Sequence, residues 1–515
     1  MGSLMAITIG LALTSPGWLL PRAVARTPFR ASGALIADAA LPFFLFALLA
    51  VATSRPIFSG IMVLALGAGF AFADRAKRMT LGEPVLFTDF FQTFDILRHP
   101  KICLIFLHPF ATAAAAAAAA VTCAILLEAE PASLHVPFTA FACVLIAGAF
   151  LFWFARRQWT TFLADCASRA GLTAKPVIDA RLVGPIAMQF AYGFLAHAQR
   201  KGLQAKVAPA AATLVRLSDA GPVVMIQCES FFDPRPMHET IPRDLLPAFD
   251  ACRAASRQWG QLTVPARGAN TVRTEFAALT GLALAAAGFD RFNPYHRFAD
   301  AKISSLVWSL HASGYKTICI HPFDRRFYRR NRVLANLGFD EFLGEEAFEG
   351  AQRNGHYVAD VEIANLAVKL IRRHGPKVFI FAITMENHGP WPVEAVDSEL
   401  CTELPDIPEK ASLGKFLKRL QGADRMIEIL TQTMQARDDN GILAFYGDHL
   451  PNFNHAYGAL GYRDRRTPYF IWQPEAVSGF RRDIAAHELG AAICNAHQTH
   501  SAMPLHDRIP LESTN

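Results

Sequence analysis

The sequence predicts a multi-span α-helical membrane domain joined to an α/β domain built on a mainly parallel sheet. Three observations carry that prediction. Apolar residues make up 52% of the 515-residue chain and crowd towards its N-terminus. From about residue 158 onward, short apolar runs alternate with helical segments, the pattern of strands joined by helical crossovers. The apolar run Ile442-Leu443-Ala444-Phe445 ends in an adjacent Asp448-His449 pair, and the carboxyl edge of such a sheet is where open α/β folds bind ligands.

Taking the chain in order, residues 4–21, 33–53, 57–73, 101–127 and 136–155 are five apolar stretches that reach or approach the ~20 residues needed to cross a bilayer. A cleaved signal peptide would account for the first alone. Basic clusters border these stretches: Arg22, Arg26 and Arg30, then Arg75, Lys77 and Arg78, then Arg156 and Arg157. Such clusters orient membrane helices or meet anionic headgroups. The net charge of +6 is modest, with no Lys/Arg-rich run of nucleic-acid type. Nine cysteines form no CxxC pair, so neither a zinc ribbon nor a redox motif is indicated. The organisation read from this is a membrane domain over 1–157, linker or interfacial helices over 158–218, an α/β domain over 219–500 and a polar tail over 501–515.

Within the α/β domain, strands are expected at Val223–Gln227, Leu262–Val264, Thr317–Ile320, Val378–Ile383, Ile442–Phe445 and Tyr469–Trp472. Helices are expected at Arg243–Arg257, Thr274–Ala286, Ile303–Ala312, Val361–Arg373, Leu413–Ala436 and Asp483–Ala496. Gly447 is read as the residue that lets the chain turn after its strand.

The chemistry-bearing residues fall at the ends of these strands. Glu229 follows the first; a carboxylate at a core edge needs a cation, either an arginine or a metal. Asp448 and His449 add an oxygen and a nitrogen donor, a set that suits Mn²⁺, Zn²⁺ or Mg²⁺. Thr271 precedes a helix, where a hydroxyl is ordinarily a cap. Beside a cation it would instead be a nucleophile, with the helix N-terminus receiving phosphoryl oxygens. Thr274 and Thr263 are rival hydroxyls. His388 lies in the stiff loop Asn387-His388-Gly389-Pro390-Trp391, and His321 ends another strand, with Tyr328 and Arg330 after it. An arginine fork suits phosphate oxygens.

Together these fragments resemble the lipoteichoic acid synthase family of membrane phosphoglycerol transferases, within the sulfatase and alkaline phosphatase superfamily. The resemblance covers the five-span N-terminus and most of residues 220–475, and it extends to Gly82-Glu83-Pro84-Val85-Leu86-Phe87-Thr88-Asp89 between the third and fourth spans. It implies one divalent metal, Mn²⁺ in first place, held by Glu229, Thr271, Asp448 and His449, with Thr271 as nucleophile. It places His321, Tyr328, Arg330 and His388 at the substrate; Trp391, in the loop of His388, is taken as a further contact. Tyr328 stands where the family usually has tryptophan. The implied reaction moves phosphoglycerol from a phosphatidylglycerol-like lipid, through a phosphothreonine-type intermediate, to an envelope glycan or glycerol phosphate acceptor. His388 or His321 would handle the proton.

The positive-inside rule, counted over the basic loops, puts the α/β domain in the cytoplasm. The resemblance implies a bacterial inner membrane with this domain on the periplasmic or extracytoplasmic side, and that is the expectation adopted. Phosphoethanolamine transfer, phosphodiester hydrolysis and sulfatase chemistry are alternatives on the same fold. The Cys/Ser-x-Pro-x-Arg motif of sulfatases is not found in the Thr271 loop. A non-catalytic membrane assembly protein is the alternative of another class.

Overall fold

A computed structural model describes residues 2–29, 33–92, 109–132, 168–207, 221–391, 404–437, 439–474 and 479–502. The chain divides into two compact units: Met1–Gly202 with Gly288–Phe292, and Leu203–Ala287 with Asn293–Asn515.

In the first unit, helices α1 (Ser3–Ala25), α2 (Gly33–Thr53) and α3 (Pro56–Leu81) are long and apolar enough to cross a membrane. Helix Pro109–Ala129 occupies much of the fourth apolar stretch. Residues 101–108, the fifth stretch and the segments 158–167 and 208–218 lie outside the described residues. Helices α1 and α3 run parallel, pressed together along glycines spaced seven apart. A Cβ on Gly60 would sit 2.3 Å from the Gly10 carbonyl oxygen, and one on Gly67 would sit 1.9 Å from that of Gly17. Small residues at such an interface let backbones approach closely, which supplies packing that lipid cannot.

The buried Asp38 of α2 ties two further helices to this group. Its carboxylate accepts from Arg22 Nη1 at 2.7 Å and Trp18 Nε1 at 3.0 Å. It also accepts from the Ile186 and Ala187 amides, both at 2.9 Å, at the N-terminus of helix Pro185–Val207. Four donors on one buried carboxylate offset the cost of taking it out of water. The Gly82–Asp89 segment is held the same way. Asp74 accepts from the Val85 amide at 2.7 Å, and Lys77 reaches Glu83 at 3.0 Å and Asp89 at 2.7 Å.

The second unit is a sheet covered on both faces. Its strands are β1 (Val223–Cys228), β2 (Gln258–Thr263), β3 (Lys316–Ile320), β4 (Glu341–Leu343), β7 (Val378–Ile383), β8 (Ile442–Gly447), β9 (Thr467–Trp472), β10 (Phe480–Arg481) and β11 (Ile484–Ala485). A separate hairpin pairs β5 (Arg353–Asn354) with β6 (Tyr357–Val358). The order is β10-β2-β9-β8-β1-β7-β3-β4, parallel except for β9, which runs antiparallel to both neighbours. Alternate residues of β1 feed opposite cores: Val224 and Ile226 join helices Pro247–Ala254, Asp360–His374 and Lys410–Gln435. Val223 and Met225 face helices Val272–Thr280, Leu306–Ala312, Arg330–Leu337 and Leu489–Ala502. Continuous burial on both faces is why the central strands read as unbroken apolar runs.

Several expected boundaries move. The helix expected over Arg243–Arg257 is reduced to Pro247–Ala254, entered at proline, and Gln258 already belongs to β2. The helix expected from Thr274 starts at Val272 and stops at Gly281, whose φ of +70° closes it. Residues 484–485 are strand, so the last helix begins at Leu489. Gly447 does not turn the chain with a positive φ. It is the last residue of β8, and a Cβ there would stand 1.9 Å from the Phe231 carbonyl oxygen, so glycine is required by close approach.

Candidate active site

Register builds the site. Cys228 of β1 lies opposite Gly447 of the adjacent parallel β8, so Glu229 and Asp448 leave the sheet side by side. Ile320 of β3 lies opposite Ala382 of β7, and His321 and the Thr384–Pro390 loop emerge at the same edge.

Glu229, Asp448 and His449 are buried, and each offers one ligand atom within 4.8 Å of the others. His449 Nε2 is 3.4 Å from Asp448 Oδ2 and 3.7 Å from Glu229 Oε1. Its Nδ1–H donates to the Leu450 carbonyl at 3.0 Å, which turns the Nε2 lone pair inward. Asp448 Oδ1 accepts from the Ser230 amide at 2.7 Å and the His449 amide at 2.8 Å, and Ser230 Oγ donates to Glu229 Oε1 at 2.7 Å. Asp448 Oδ2, by contrast, is buried without a hydrogen-bond partner.

Burial first, and the Glu229 charge second, push the Asp448 carboxyl up to about 7. Burial acts to lower the His449 imidazole, but Asp448 and Glu229 outweigh it and the net shift is upward. Two crowded carboxylates, an orphaned oxygen and an inward imidazole nitrogen make a donor set that fits a divalent cation.

Thr271 stands at the N-terminus of helix Val272–Thr280, yet its hydroxyl makes no cap bond. Its Oγ1 lies 3.5 Å from His449 Nε2 instead. The rivals are accounted for otherwise. Thr274 is buried and donates to the Asp448 carbonyl at 2.8 Å, and Thr263 is exposed at the end of β2.

His321 and Arg330 form a second buried group. The guanidinium forks onto Glu275, with Nη2 at 2.8 Å and Nε at 3.2 Å from each oxygen, and Tyr295 donates to the same carboxylate at 2.6 Å. Arg330 Nη1 donates to His321 Nε2 at 3.2 Å, while His321 Nδ1 faces the Ile383 carbonyl at 3.3 Å. Burial, then the Arg330 charge, hold His321 well below the usual histidine range, so it is neutral. The Tyr328 ring lies 5.5 Å from the Arg330 guanidinium.

His388 is half-buried, with Nδ1 3.1 Å from the Tyr357 hydroxyl. Trp391 instead joins the core against Phe453 and Phe416, with its Nε1 buried and unpartnered. Backbone strain gathers here too: Ser230, Asn270, Tyr328 and Arg329 are non-glycine residues at φ of 53–65°, each next to or among the residues described.

Ser230, Glu275, Tyr295 and Tyr357 were given no role by the sequence. Glu275 carried a usable signal, lying one helical turn after Thr271 and therefore on the same face. Tyr357 carried none, because its hairpin is only two residues per strand.

A family model described as Sulfatase matches residues 222–503. The chain is 32% identical over 263 residues to the capsular polysaccharide biosynthesis protein RkpI of Rhizobium meliloti, a match covering 50% of this chain and 46% of that relative. The chain thus spans less than half the length of that curated relative. The integral membrane lipooligosaccharide phosphoethanolamine transferase A of Neisseria meningitidis shares the fold over 95% of this chain and 94% of its own, at TM-score 0.52 and 13% identity. The phosphoglycerol transferase GacH of Streptococcus pyogenes aligns over 59% of this chain and 80% of its own, at TM-score 0.46 and 21% identity. Since the matched stretch takes in more than half of the sequence, including the sheet edge that gathers Glu229, Thr271, Asp448 and His449, the chain belongs to the sulfatase family.

Proposed function

We propose that this protein is a metal-dependent membrane transferase that moves phosphoglycerol from a phosphatidylglycerol-like lipid to a glycan or glycerol phosphate acceptor. The observation that carries the reading is the uncapped Thr271 hydroxyl, 3.5 Å from His449 Nε2 and beside two buried carboxylates. Glu229, Asp448, His449 and Thr271 would hold one divalent ion, Mn²⁺ before Zn²⁺ or Mg²⁺. Bound there, it would supply positive charge for the phosphoryl oxygens and ease ionisation of the Thr271 hydroxyl.

The protein's own groups account for the rest. In the first step the ionised Thr271 Oγ1 attacks phosphorus as the ester oxygen of diacylglycerol departs, and that oxygen takes the extra proton of His388 in its protonated form. In the second step the acceptor hydroxyl gives its proton to His388 and attacks phosphorus, releasing Thr271. The Arg273 and Thr274 amides at the N-terminus of helix Val272–Thr280 already donate to the Asn270 and Thr271 carbonyls, at 2.9 and 3.1 Å, so the helix end acts on the phosphoryl oxygens through its dipole. His321, neutral and bonded at both nitrogens, serves better as a fixed wall of the pocket than as a proton carrier. Arg330 contributes its charge while held by Glu275. The three apolar helices support a lipid donor, because anchoring the site beside the bilayer raises its effective concentration. A bacterial inner membrane with the site on the extracytoplasmic side suits that donor and an envelope acceptor.

The test is mass spectrometry of the Thr271 peptide after incubation of the full chain with Mn²⁺ and either phosphatidylglycerol or phosphatidylethanolamine. A glycerophosphate adduct from the former alone is expected. A phosphoethanolamine adduct would reassign the donor, and no adduct from either would remove the transfer reading.

A further inference from the structure

We infer that helix Pro176–Val183 is a membrane-surface anchor, seating its outer face among the headgroups of an anionic bilayer. This contact is separate from the proposed transfer reaction and exists whether or not the site turns over.

The helix is amphipathic the wrong way round for a surface in water. Its inner face buries Asp179, Ala180 and Val183, while Lys175 at the N-cap, Ile178, Arg181 and Leu182 are exposed. Ile178 and Leu182 keep 50% and 51% of their surface open. Positions three and four apart share a helix face, so these four side chains form one strip. The acid turns inward because it is satisfied there. Asp179 accepts from the Thr173 amide at 3.0 Å, the Thr173 hydroxyl at 2.9 Å and the Tyr192 hydroxyl at 2.5 Å. What remains outside is apolar and basic, with no exposed carboxylate on the helix.

The neighbours of this helix put the strip at the membrane. The Thr27 hydroxyl, just past the end of α1, donates to the Ala180 carbonyl at 2.9 Å. Ala180 and Val183 share a buried cluster with Ala25, the last residue of α1. The following helix, Pro185–Val207, starts on Asp38 near the beginning of α2. The strip is therefore level with the end of one candidate spanning helix and the start of another, where a chain leaves the hydrocarbon. Arg26 and Phe29, between α1 and α2, are exposed there too, as is Phe190 in the following helix. Apolar side chains interleaved with Lys and Arg are the composition of a helix lying in the interface, and the basic groups favour anionic headgroups. An apolar helix packed on the same strip would have to bury Lys175 and Arg181 as well, which is costly. A headgroup layer offers phosphates to both.

The experiment uses the full chain carrying the photoreactive residue p-benzoylphenylalanine in place of Leu182, reconstituted in vesicles of equimolar phosphatidylglycerol and phosphatidylcholine. EDTA is present so that no lipid is consumed as a donor. Irradiation should leave phospholipid adducts on the peptide holding position 182, read by mass spectrometry. Phosphatidylglycerol adducts should exceed phosphatidylcholine adducts at least about fivefold, the factor expected from a single basic residue at a charged surface. Adding Lys175→Gln and Arg181→Gln together should bring that ratio to about one, with the total adduct yield kept within about twofold. Crosslinks to another segment of this chain or to a second copy, or no adduct at all, overturn the inference. So does an equal yield from the two lipids with Lys175 and Arg181 intact, or a preference that survives the loss of both.

Discussion

Asp448 and His449 both hold protons more tightly in the folded, cation-free site than in the unfolded chain, and this has a definite sign. An ordinary aspartate loses its proton near ~3.9, whereas Asp448 is pushed up to about 7 by burial and by Glu229. Between those values the folded state binds the extra proton, so stability without metal falls as pH rises. His449, raised by the same carboxylates, acts in the same direction. A cation must displace these protons. The Mn²⁺-induced rise in Tm, measured by thermal unfolding, should therefore be larger at about pH 8 than at about pH 5.5. The two threonines near the site should separate cleanly. Thr271→Ala should cut turnover by at least about a thousandfold, as for other lost nucleophiles, with folding intact. Thr274→Ala removes a buried bond to the Asp448 carbonyl and should cost about 1–2 kcal/mol in denaturant unfolding, with a smaller loss of activity.

At the scale of elements, the site depends on strand register. The pairing of Cys228 with Gly447 sets Glu229 beside Asp448, and β7 and β3 deliver the histidine loops to the same edge. Gly447 is the tightest point, since the Phe231 carbonyl occupies the place of a side chain. Gly447→Ala should shift β8 against the segment after β1, costing about 1–3 kcal/mol in chemical unfolding. Mn²⁺ affinity should fall in the same protein, read by calorimetry, because the displacement falls on Asp448 and His449, two of the proposed ligands. The central strands were legible because their apolar runs are local signals, and so were the positions of Glu229, Asp448 and His449 at their ends, whereas β2, expected only over Leu262–Val264, runs from Gln258 to Thr263. The antiparallel direction of β9, the short β4 and the β5–β6 hairpin were not. Strands of two or three residues carry no measurable period, and direction is set by pairing rather than by composition.

The whole molecule joins apolar N-terminal helices to a unit with its own two cores, one on each face of the sheet. Residues 221–502 alone should retain a Mn²⁺-dependent rise in Tm and cleave a water-soluble phosphodiester. Their rate on phosphatidylglycerol vesicles should drop by about a hundredfold relative to the full chain, because the donor is no longer held near the site. By itself the sequence determined the first three apolar helices, the α/β alternation and which side chains could meet a cation, since each is written in residues close together along the chain. Only the tertiary structure decided which hydroxyl faces His449, that Arg330 is held by Glu275 fifty-five positions away, and that Tyr357 touches His388. Those contacts are made by strand register and helix packing, and no local pattern encodes a partner that distant in the chain.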